Sequence, residues 1–198
     1  MEIFSIIKDI VISIAAATTA FVAYKGLEKW QKELSGKANF DTARSLIRAT
    51  YKLRDEIEYA RSPFIPAGEF PKDYDPLNKT DKSRGDAFAH VYGKRWEHIA
   101  EAIQEYDAFI LESEALWGAQ IKEKANALRS CVIELRSAID AYISNEYSGG
   151  EDFNDRVFAI SVRAKVSNSQ KEKNELTIKI NTAINEIENE VSPHLNRS

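Results

Sequence analysis

Apolar residues crowd the start of the chain. Ile10–Tyr24 is 15 residues without a charge, and Ile3–Tyr24 is 22 residues holding only Lys8 and Asp9. As helices these reach about 22 Å and about 33 Å, against a hydrocarbon core of about 30 Å. The pattern predicts one transmembrane helix over residues 1–35, juxtamembrane extension included. Tyr24, Lys25 and Trp30 stand where interfacial anchors belong. Lys25, Lys29, Lys32 and Lys37 follow the run and only Lys8 precedes it. The positive-inside rule then places the N-terminus outside and the rest of the chain in the cytoplasm. A run this short also fits a buried core helix, or a cleaved signal peptide, although Met1-Glu2 lacks the basic flank of a signal.

This segment has a small and polar face. Ser13–Ala17 and Ala16–Ala20 are small-xxx-small pairs, a spacing that lets helix backbones approach closely in lipid. Asp9, Ser13, Ala16 and Ala20, with Ser5 above them, fall along one stripe. In a homo-oligomer that stripe faces neighbouring helices or a central opening. Asp9 inside a membrane points to function, and Asp9 wet at the outer interface is the plainer alternative.

Helical spacing continues down the chain, with a first break expected at Ser35-Gly36. Ala43, Leu46, Ile47, Leu53, Ile57 and Ala60 share one face of a helix over about 40–60. Its other face carries Arg44, Arg48 and Lys52, which can meet anionic lipid or pair with nearby acids. Residues 62–81 hold four prolines among Phe64, Phe70 and Tyr74, the pattern of a partner-binding or assembly loop. Helices are then predicted over about 86–111, 114–147 and 170–191. Gly93 is marked as a kink, Gly149-Gly150 as a stop and Pro193 as the last end. Residues 156–163 read as a short strand or an irregular connector. The expected fold is all-α: one N-terminal transmembrane helix, then a cytoplasmic four-helix bundle over 36–198.

Composition narrows the chemistry. Lys and Arg number 27 against 31 Asp and Glu, a net charge of −4, which excludes a broad basic nucleic-acid surface. A single cysteine, Cys131, excludes an intrachain disulfide framework and a cysteine-rich zinc site, and its place on an apolar helix face makes it core. Three histidines, His90, His98 and His194, are too few for the paired Glu-x-x-His motifs of a di-iron bundle. No metalloprotease, phosphate-loop, dinucleotide or nucleophile-elbow motif occurs, so no cofactor and no metal are expected.

One spacing resembles a catalytic motif. Arg84-Gly85-Asp86-Ala87-Phe88-Ala89-His90 is similar to the R-x(4–6)-H motif of HEPN-type ribonucleases, themselves helical bundles. The resemblance implies that Arg84 and His90 of two subunits meet and cleave RNA without a metal. Arginine would steady phosphate charge and histidine would move the 2′-hydroxyl proton. Gly85 departs from the polar residue usual there. The alternative is an arginine at a helix start beside a partly buried histidine.

The chain also resembles a class of small bacterial single-pass membrane proteins with a cytoplasmic helical domain. The likeness lies in the junction Trp30-x(3)-Leu34-x-Gly36-Lys37-x(2)-Phe40, in Ala43-Arg44-Ser45-Leu46-Ile47, and in Pro193-His194-Leu195. It implies a bacterial inner-membrane location. A more distant likeness is to the CRISPR-associated membrane accessory protein of RNA-targeting effectors, with one membrane helix, a degenerate HEPN-like bundle and an oligomeric pore. That likeness implies a non-enzymatic antiviral membrane effector with the lipid bilayer, other copies of itself and an RNA-guided effector as partners. A plain membrane tether for a cytoplasmic protein is the third alternative.

Overall fold

The computed structural model describes residues 2–77, 79–169 and 173–195, with side chains from residue 6 onward except that of Asp9. Its first helix passes through Ser35-Gly36 without a break, so α1 runs from Glu2 to Ala60. A glycine inside a helix costs only about 1 kcal/mol against alanine, and Gly36 is not among the glycines with positive φ. Strong helix formers on both sides carry the helix through. At 59 residues α1 is about 88 Å long. Its first partly buried residues after the juxtamembrane turns are Asn39 and Phe40, so roughly the first 55 Å stands clear of the remaining chain.

Four further helices follow: α2 (Asp81–Trp117), α3 (Ala119–Tyr147), α4 (Arg156–Val166) and α5 (Glu175–Leu195). Around a square, α1 neighbours α2, α2 neighbours α3, α3 neighbours α5 and α5 neighbours α1, while α4 lies against α3 and touches α5. Cross-helix bonds fix the directions. Trp117 bonds Asn39 and Lys52 bonds Glu105, so α1 and α2 are antiparallel. Tyr106 bonds the Ala125 carbonyl, Tyr51 bonds Glu188 and Lys124 pairs with Glu190, which sets the rest of an up-down-up-down bundle.

The expected apolar faces form its core. Leu46, Leu53, Ile57, Ile99, Tyr106, Ile121, Leu128, Leu135 and Ile139 are buried, and all six apolar positions expected on the last helix are buried as well. Cys131 is a buried, free thiol whose pKa burial raises, as a core residue requires.

Several boundaries differ from expectation. α2 begins at Asp81, not Asp86, because Thr80 caps it: the Thr80 hydroxyl accepts from the Ser83 amide at 3.1 Å and Ser83 Oγ accepts from the Thr80 amide at 2.9 Å. Helix α2 then runs through Gly93, Glu112 and Ser113 and ends at Gly118. Gly118 has φ 86° and ψ −174°, a backbone open essentially to glycine alone, and this forces the turn into α3. Residues 156–166 are helix, not strand, because Asp155 accepts from the amides of Val157 and Phe158. α5 starts at Glu175 and runs past Pro193 to Leu195. The expected start near Gln170 lies outside the described residues. Gly149-Gly150 does stop α3, and the Gly150 amide returns to the Asn145 carbonyl at 2.8 Å.

The straight course of α1 also moves the basic stripe. Arg44 lies about 30 Å along the helix from Tyr24, several Debye lengths of about 8 Å from a membrane surface crossed there. Lys52 bonds Glu105 at 2.8 Å instead, with Arg48 at 4.0 Å from the same carboxylate.

Candidate functional site

The exposed part of α1 is long and apolar enough to span a bilayer, with a mean hydropathy of 1.8 over its best window and none of that window buried. Ile6, Ile7, Ile10, Val11, Ile14, Phe21 and Val22 are all open to the surroundings. Polar groups inside the segment are satisfied locally: Thr18 and Thr19 donate to the carbonyls of Ile14 and Ala15 at 2.8 Å. Ser13, Ala16 and Ala20 lie exposed on one face, as expected. The side chain of Asp9 lies outside the described residues.

Because α1 is unbroken, that face does not stop at the end of the apolar segment. Ala23, Leu27, Trp30 and Leu34 continue it at steps of three and four, all exposed. Lys25, Glu28, Lys29, Lys32 and Glu33 sit off the stripe and pair among themselves along the helix. Trp30 thus belongs to the stripe as well as to the expected interfacial belt, which Tyr24 and Lys25 share. The small-residue half was legible in the sequence; the large-residue half was not, because it lies beyond the uncharged run, interleaved with Lys25, Glu28, Lys29, Lys32 and Glu33.

Arg84 and His90 do not meet within the chain. Six helical steps separate their side chains by about 120° around the axis. Arg84 lies in the first turn of α2 and donates from Nε to Glu146 Oε2 at 2.7 Å, while His90 is exposed rather than partly buried. The segment between them is a helix junction. A Cβ on Gly85 would collide with the ring of Tyr147, which packs flat on the helix there. The Tyr147 hydroxyl donates to Asp86 at 2.7 Å. That bond, with Lys82 beside it, holds the Asp86 carboxyl below its usual range. Gly85 is therefore explained by packing.

The proline-rich loop is pinned by a residue that sequence reading did not single out. Arg95, buried on α2, holds Glu69 with two bonds (Nε to Oε2 2.6 Å, Nη2 to Oε1 3.1 Å). The same guanidinium donates to the carbonyls of Ser62 and Phe64 at 3.0 Å and of Ala60 at 3.3 Å. Arg61 does similar work at the far side, binding the Lys165 carbonyl at 2.7 Å, Asn174 at 2.8 Å and Thr177 at 3.0 Å. Within the loop Phe70 stacks on Tyr74 at 5.2 Å and meets Phe88 edge-on at 5.9 Å. Phe64 stays exposed. Of the expected partner residues, then, Phe70 and Tyr74 serve the fold and Phe64 faces outward.

At the end of the bundle where α1 enters it, Trp117 stacks on His194 at 4.1 Å and donates to Asn39 at 2.8 Å. The junction near residue 39 and the Pro193-His194-Leu195 segment thus come together. Among the described residues no group of three His, Cys, Asp or Glu side chains could hold a metal ion. No family model, no curated protein and no solved structure matches this chain.

Proposed function

We propose that the chain is a non-enzymatic, single-pass inner-membrane protein whose copies associate side by side through α1, with the bundle in the cytoplasm. The observation that supports this most is the exposed half of α1: an apolar helix of spanning length, continuous with a Leu27, Trp30 and Leu34 stripe that no other described part of the chain covers. An isolated helix of this kind in water is marginal, and an exposed Trp-Leu stripe is what a second helix covers. One rigid rod crossing the bilayer puts every copy in the same direction, so the stripes meet in parallel and in register. In its sharper form the association encloses an opening lined by Asp9, Ser13, Ala16 and Ala20, a membrane effector of the kind used in antiviral defence.

Light scattering on the detergent-solubilised full chain tests this reading. A discrete oligomer supports it, six or more copies favouring the enclosed opening. A monomer at every concentration removes it.

A further inference from the structure

The proline-rich loop and helices α2, α3 and α4 enclose a cleft of about 560 Å³, within the range of about 300–1,000 Å³ usual for small-ligand sites. Phe64, Phe70, Phe88, Tyr92 and Tyr142 line it and Arg163 stands at its mouth.

Four features mark this cleft. Its loop wall is preformed, because Arg95 fixes the carbonyls of Ser62 and Phe64. Despite that fixed backbone, the Phe64 ring is 73% exposed, apolar surface left uncovered at a rigid position. The Tyr92 ring is only 6% exposed and lines the cleft beside Phe88 and Tyr142. Finally, the Arg163 guanidinium lies 6.0 Å from the Phe153 ring and forms no ion pair among the described residues.

We infer that this cleft binds a small organic anion with a flat aromatic body, its ring stacked among the aromatic side chains and its charge shared by the Tyr92 hydroxyl and Arg163. The chemistry follows from the donors. Both polar groups donate, Arg163 carries the positive charge at the mouth, and aromatic walls favour a flat ring. Burial pushes Tyr92 up to about 12, so its phenol stays protonated and able to donate at any physiological pH. The inference is independent of how copies associate in the membrane.

The test is calorimetric titration of 2-naphthoate into the full chain in lipid nanodiscs, with empty discs subtracted. Saturable binding of one naphthoate per chain is expected. Tyr92→Phe, a change that keeps the ring and the fold, should weaken it about tenfold, as should Arg163→Ala. The uncharged analogue 2-naphthylmethanol should bind more weakly than naphthoate by a similar factor. No saturable heat above empty discs overturns the inference. So does equal affinity in the two variants, which would assign the exposed Phe64 to a protein partner instead.

Discussion

Arg95 shows how much of this fold hangs on single side chains. It is buried, it holds Glu69, two loop carbonyls and the last carbonyl of α1, and nothing in a helical repeat distinguishes it from a solvated arginine. Arg95→Ala leaves Glu69 without its cation and the carbonyls without a donor. We expect a loss of about 3 kcal/mol, read as a lower denaturant midpoint, with loop amides exchanging faster. An unchanged midpoint would show that the loop is held by its aromatic contacts alone. Gly85→Ala drives a methyl into the Tyr147 ring and should cost about 1–3 kcal/mol by the same measurement. Buried tyrosines set a pH limit. Burial raises Tyr92 from 10.0 to about 12, and raises Tyr106 and Tyr142 as well. The folded chain thus holds these protons more tightly than the unfolded chain. Their contribution is complete below about pH 10 and is lost as pH rises from there through 12. Circular dichroism and tyrosinate absorbance should change together in that window. Tyrosinate forming at pH 10 with the helices intact would contradict this.

At the scale of elements, the apolar spacing was legible and the ends were not. The faces of the helices came from residues at three and four apart, and Leu176, Ile180, Ala183, Ile184, Ile187 and Val191 are the buried set of α5. Boundaries failed where one residue decides between continuing and stopping. Gly36 looks like Gly118 in the sequence, but only Gly118 takes a positive φ, because long runs of helix formers carry α1 through Gly36. Asp155 is the capping signal that decides α4, a segment whose apolar spacing alone fits a strand or a connector equally well. The candidate site was the less legible part. The stripe of α1 was half visible, Arg84 was visible without its Glu146 partner 62 positions away, and the cleft needed four separate segments to be brought together. The continuity of α1 makes its own prediction. Gly36→Ala should slow amide exchange over residues 25–38, consistent with about 0.8 kcal/mol of added helix stability, and Gly36→Pro should accelerate it. Equal exchange in all three proteins would mean that the helix is already interrupted at Ser35-Gly36.

For the whole molecule, one helix joins an apolar exposed segment to a packed bundle. The bundle closes its own core through α1, α2, α3 and α5, while the first half of the same α1 has no covering partner among the described residues. Its stripe runs from Ser13 through Ala16, Ala20, Ala23, Leu27 and Trp30 to Leu34, and Lys25 and Lys32 lie away from it. Cysteine cross-linking in isolated membranes tests whether copies meet along that stripe. With Cys131→Ser as background, the reading predicts oxidative dimers from Ala20→Cys, Leu27→Cys and Leu34→Cys and none from Thr18→Cys, Lys25→Cys or Lys32→Cys. Cross-links on neither face, or equally on both, would contradict association through α1.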